Sequence, residues 1–98
     1  MTGRKENTMQ IITQAQLYKI REANESVKGT NNWNKYLMPL ESKIDGKWKF
    51  ECWTSPWYNR DGYIKHYKGK TYIMFDSPLG LERYTVTPEV AKLLNLDC

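Results

Sequence analysis

His66 is the only histidine of the 98 residues, and Lys65, Tyr67 and Lys68 stand beside it. An imidazole titrates near neutrality and a lysine steadies developing phosphate charge, so this group has the types to move a proton on a phosphodiester, as small metal-independent ribonucleases do. Nothing else in the chain completes a catalytic set. One histidine excludes a multi-histidine metal centre, and Cys52 and Cys98 lack the spacing of a metal-ligand pair. There is no glycine-rich phosphate loop, no nucleophile elbow and no marked pair of carboxylates. The expectation is a protein that is not an enzyme and needs neither cofactor nor metal, since a single histidine in a strand more often packs or faces water.

A second group of residues points to binding. Lys47, Lys49, Arg60, Tyr63, Lys65, Tyr67, Lys68 and Lys70 mix cations with flat rings. Cations release counterions from phosphates, and rings stack on unpaired bases at about 1 to 3 kcal/mol each, so this mixture suits RNA or single-stranded nucleic acid. The charge is concentrated here. Residues 43 to 70 hold seven basic and three acidic side chains, which accounts for the whole net charge of +4, and they also hold seven of the thirteen aromatic rings. Read without a ligand, the same mixture is a small core of rings under solubilising lysines.

A third group lies in residues 54 to 62 and its border. Trp53, Trp57, Tyr58 and Arg60 are the residue types that dominate protein-protein hot spots, so the loop is an alternative docking surface, unless its rings fold back over the core. The functional expectation is therefore ordered. A non-catalytic binder of RNA or single-stranded nucleic acid, alone or within a nucleoprotein, comes first. A protein-protein inhibitor or adaptor, of the accessory kind that phages direct against host or defence enzymes, comes second. A small ribonuclease using His66 comes third. No motif is specific enough to carry a resemblance to a family.

The elements that must position these side chains follow from periodicity. Residues 1 to 10 have none and are expected as a mobile lead-in to a single domain over residues 11 to 98, with Met9 as an alternative start. Thr13 and Gln16 have capping-box spacing, Ile12 and Leu17 fit a hydrophobic staple, and Leu17, Ile20, Ala23 or Asn24, and Val27 share one stripe, which predicts a helix over residues 14 to 27 closed near Gly29. From Tyr36 the period changes to two. Residues 36 to 44 and 47 to 53 form a hairpin about Asp45-Gly46, with Pro39 arguing that the first strand is an edge and with Trp48, Phe50 and Cys52 on the core side against Lys47, Lys49 and Trp53. Strands over 63 to 68, 71 to 76 and 81 to 86 follow, and Thr87, Pro88 and Glu89 open a short last helix. The expected fold is α+β, a small antiparallel meander of four to five strands with an N-terminal helix and a short C-terminal helix packed on it.

Composition sets the remaining bounds. Forty per cent hydrophobic and 27% charged residues, with a mean hydropathy of −0.76, allow one small core. No run approaches the roughly 20 apolar residues of a membrane span, and no signal region opens the chain, so the expectation is a cytoplasmic protein without membrane contact. Two distant cysteines read as inert thiols in a reducing compartment, with a bridge between them as the alternative. The oligomeric state stays open in the sequence.

Overall fold

The computed structural model describes residues 10–56, 59–78 and 80–96. The Thr13 hydroxyl accepts from the Gln16 N–H at 3.3 Å, and the Gln16 side chain accepts from the Thr13 N–H at 3.0 Å. This reciprocal box starts helix α1, Gln14–Ser26, as the spacing of the two residues predicts. Leu17 and Ile20 are buried on its inner face, each a gain of about 1.5 to 3 kcal/mol. Helix α2, Pro88–Leu94, begins where the Thr87 hydroxyl accepts from the Val90 N–H, and it ends on Asn95 in the left-handed region at φ 57°. Its Val90, Ala91 and Leu94 are buried, and α1 packs beside it.

The strands are β1 (Gln10–Ile12), β2 (Met38–Ile44), β3 (Lys47–Thr54), β4 (Gly62–Tyr67), β5 (Lys70–Ser77) and β6 (Gly80–Thr85). They form one antiparallel sheet in the order β1-β4-β5-β6-β2-β3. The fold is thus α+β as expected, with six strands where the periodicity predicts four to five. The extra strand is β1. It falls at the border of the expected lead-in, and Ile12, read from sequence as a staple residue, is fully buried in the core. Only β4-β5-β6 is a meander, with α1 and its connection carrying the chain from the edge strand β1 across the sheet to β2, which lies next to the opposite edge.

Pro39 does not mark an edge strand. β2 lies inside the sheet between β6 and β3, and β3 is the edge. Proline is tolerated because the β6 ladder begins only at Leu40, opposite Tyr84, and because the register with β3 shifts between Pro39 and Glu41. Asp45 and Gly46 turn the β2-β3 hairpin at φ 54° and 76°, and Lys68 and Gly69 turn β4-β5 at φ 50° and 80°. Both are positive-φ turns that match the strand twist, and glycine carries the second position without strain.

Both helices lie on one face of the sheet. Ile64, Ile73, Phe75 and Tyr84 meet Ile12, Leu17, Ile20, Met38, Val90 and Leu94 there. Phe75 and Tyr84 contact edge to face at 6.0 Å. Gly62 permits this packing, since a Cβ in its place would stand 2.8 Å from the Phe75 ring and 2.9 Å from the Met74 carbonyl oxygen. Among the described residues no helix is long and apolar enough to cross a membrane.

Candidate functional site

Among the described residues, no helix lies on the second face of the sheet. Residues directly opposite on neighbouring strands share a face, so the register decides what stands there. Tyr63 lies opposite Met74, Lys65 opposite Tyr72, and Tyr67 opposite Lys70. Met74 in turn faces Arg83, Arg83 faces Glu41, and Glu41 faces Phe50. Lys43 stands between Leu81 and Trp48, and Pro39 faces Trp53. The open face therefore presents rings from β4, β5 and β3 with cations from four strands and the β4-β5 turn. Among the described residues of this face, five cations (Lys43, Lys65, Lys68, Lys70, Arg83) stand against two carboxylates (Glu41, Asp76).

Its centre is packed although no helix covers it. Tyr72 and Met74 are only 6% and 2% exposed, which leaves β5 buried on both sides and explains its run of apolar types from Tyr72 to Phe75. Arg83 contributes to this cover. Its guanidinium lies 3.8 Å from the Trp48 ring centre and 4.5 Å from that of Tyr72, and its Nε donates to the Glu41 Oε1 at 2.8 Å. A planar cation between two rings is held by quadrupole attraction and by the carboxylate together.

The flanks of the face are open. On the β4-β5 side, the Lys65 and Lys68 ammonium groups lie 5.7 Å and 5.3 Å from the Tyr67 ring, which is 49% exposed. On the β3 side, Phe50 and Trp53 are 59% and 55% exposed, and the Lys43 ammonium lies 5.8 Å from the Trp48 ring. The Tyr63 hydroxyl donates to Asp76 at 3.5 Å. Burial raises the Tyr63 pKa above its ordinary 10.0, and the Asp76 charge and hydrogen bond raise it further. Ionising Tyr63 thus costs more in the fold than in the unfolded chain, so its contribution to stability is full below the unfolded pKa and is lost as pH rises through the folded one. Asp76→Asn is expected to lower the Tyr63 midpoint in an alkaline titration followed by phenolate absorbance; a midpoint that does not fall would remove the assigned role of Asp76.

The sequence-predicted nucleic-acid residues divide into three groups. Tyr63, Lys65, Tyr67, Lys68 and Lys70 come together on one flank of the open face. Lys47 and Lys49 do not join them: Lys49 faces Ser42 in the row that continues through Glu82 to Phe75 on the helix side, and Lys47, facing Ile44, lies two residues away on that same side of β3. Arg60 is drawn inward, its guanidinium 5.5 Å from the Phe75 ring. The hairpin is also turned over relative to its alternation: Trp48 and Phe50 look out from the open face rather than into the core, and Cys52 is exposed. The bulge in β3 puts Trp53 on that same face instead of beside the lysines. His66 lies on the same side of β4 as Ile64, the helix side, its Nδ1 3.1 Å from the hydroxyl of Thr71 opposite, so the sheet separates it from Lys65 and Tyr67.

Of the docking loop, Trp57 and Tyr58 lie outside the described residues. Its ends are packed, with Ser55 and Pro56 buried, Asn59 accepting from the Tyr18 hydroxyl at 3.4 Å, and Arg60 against Phe75. The residues that the sequence reading missed are Arg83, Tyr72 and Lys43, together with Trp48 and Phe50, which it placed in the core. Alternation marks their side of each strand, but only the pairing of β2 with β6 brings them together. The chain matches no protein-family model, no curated protein and no solved structure.

Proposed function

We propose that the protein is a non-catalytic binder of single-stranded nucleic acid, RNA in the first instance, and that the strand lies across the open sheet face. One observation carries the reading: a sheet face that no helix of the described residues covers, on which rings alternate with cations, firm at its centre and exposed at both flanks. Rings on an antiparallel sheet recur about 4.8 Å apart across strands, and β3 lies four strands from β4, so the ring positions span about 19 Å. That width accommodates several unstacked bases of a single strand. Tyr67 with Lys65, Lys68 and Lys70 would hold phosphates and a base at one end, while Trp53 and Phe50 stack bases at the other. Lys47, Lys49 and Arg60 are left out of this site.

Catalysis by His66 has little support, since Lys65 and Tyr67 project from the opposite side of the sheet. Docking of a host or defence protein would use Trp57 and Tyr58, and no geometry of the described residues favours it over the open face. A filter-binding titration of an unstructured RNA of about 12 nucleotides, single-stranded and annealed, tests the proposal. The single strand is expected to bind more tightly than the duplex. Its affinity should fall with salt at a logarithmic slope near −3, about 0.7 for each of Lys43, Lys65, Lys68 and Lys70. No binding of the single strand at low salt would overturn the assignment.

A further inference from the structure

We infer that strand β3 pairs with β3 of a second copy, joining two sheets edge to edge into one continuous open face. This goes beyond the nucleic-acid reading and stands without it. β3 is an eight-residue edge strand, long for that position, and most of it is exposed. Ile44 and Lys47 flank a two-residue turn and so bond to each other, which directs the backbone groups of Lys49 toward β2 and those of Trp48 and Phe50 outward. A neighbouring strand can take up those outward N–H and C=O groups. The bulge that would blunt the edge comes only after Phe50.

The occupant is inferred from the charge order. On the helix side, β3 reads Lys47, Lys49, Glu51 from its start. A two-fold axis at Lys49 runs the partner strand in the opposite direction, which lays Glu51 of each copy against Lys47 of the other, two attractive pairs against the one contact between the two Lys49 side chains. Pairing is thus self-complementary, as a closed isologous contact requires. On the open side the same axis sets Trp48 and Phe50 of the two copies beside each other. Aromatic cross-strand contacts, the favoured kind, cover there the edge-facing part of Phe50, which is 59% exposed in the single chain. The two basic β4-β5 flanks then lie at the outer ends of a twelve-stranded face.

Sedimentation equilibrium of the full chain across concentrations up to about 100 μM reads this directly, since small interfaces belong to weak, transient contacts. The wild type is expected to show a monomer-dimer equilibrium. Lys47→Glu with Lys49→Glu places acid against Glu51 and should weaken the dimer at least tenfold, while adding Glu51→Lys restores the complementarity and the dimer. Circular dichroism of each variant establishes that it is folded, and Phe50→Lys supplies a second, independent break of the edge. A wild type that stays monomeric overturns the inference and leaves the edge to a strand from a different protein. A dimer indifferent to the charge reversal overturns it equally. RNA affinity of the Lys47→Glu, Lys49→Glu variant, which leaves the rings and cations of the proposed RNA site in place, is the separate readout of the nucleic-acid reading.

Discussion

Replacing Lys65, Lys68 and Lys70 together with alanine is expected to weaken single-stranded RNA binding by at least about tenfold at low salt, and to flatten the salt slope by about 2. Each lysine held to a phosphate accounts for about 0.7 of that slope, and these three surround the exposed Tyr67 ring on one flank of the open face. Lys47→Ala with Lys49→Ala is the informative control. It also removes exposed positive charge, but from the helix side of the sheet, so affinity should stay within about twofold of the wild type. Filter binding of all three proteins at two salt concentrations makes the comparison. If the β3 pair weakens binding as much as the β4-β5 triple, binding follows overall charge and the open face has no special part in it. All five lysines are exposed, so little change in stability should accompany either variant.

The second large effect concerns stability. Arg83→Met should cost about 2 to 3 kcal/mol in urea unfolding, seen as a lower midpoint with an unchanged slope. The side chains of Arg83 and Glu41 are only 16% and 24% exposed, so removing the cation leaves a half-buried carboxylate without its partner. It also takes the planar cover from Trp48 and Tyr72. The figure lies below that for a fully buried pair because water still reaches both groups. Adding Glu41→Leu to Arg83→Met removes the stranded charge and should recover most of the loss, since an apolar pair can fill the same space without the desolvation cost. A single variant within about 0.5 kcal/mol of the wild type would show that Tyr72 and Met74 are covered without Arg83.

Both variants act on one design feature. A helix of thirteen residues is about 20 Å long and one of seven about 10 Å, so the two cover only part of one face of a six-stranded sheet. The uncovered face protects its central strand with an arginine held between rings. That arrangement also keeps charge and aromatic surface at the protein boundary, where a ligand can reach them.

Local rules were legible in the chain. The capping box of Thr13 and Gln16, the Thr87-Pro88 helix start and the turns at Asp45-Gly46 and Gly69 are each decided within a few residues, so their geometry follows from neighbours in sequence. Five of the six strands could be placed for the same reason. β1 escaped because three residues carry no period, and its strand character exists only through pairing with β4. The candidate site was half legible: the cations and rings from Tyr63 to Lys70 stood out by type, yet only the pairing of β4 with β5 set His66 apart from Lys65 and Tyr67, and alternation in the β2-β3 hairpin assigned Trp48 and Phe50 to a core.

The chain by itself determined where its helices begin, where its hairpins turn, how its charge is concentrated and that its class is α+β. Only the tertiary structure decided which face of each strand meets the helices, because period-two alternation marks two sides without saying which is inner. It also brought Arg83 to Glu41, 42 residues apart, and Trp48 to Tyr72, through the pairing of β2 with β6. Such long-range pairing depends on which edges remain free once the local elements have formed, and no short stretch of sequence contains that information.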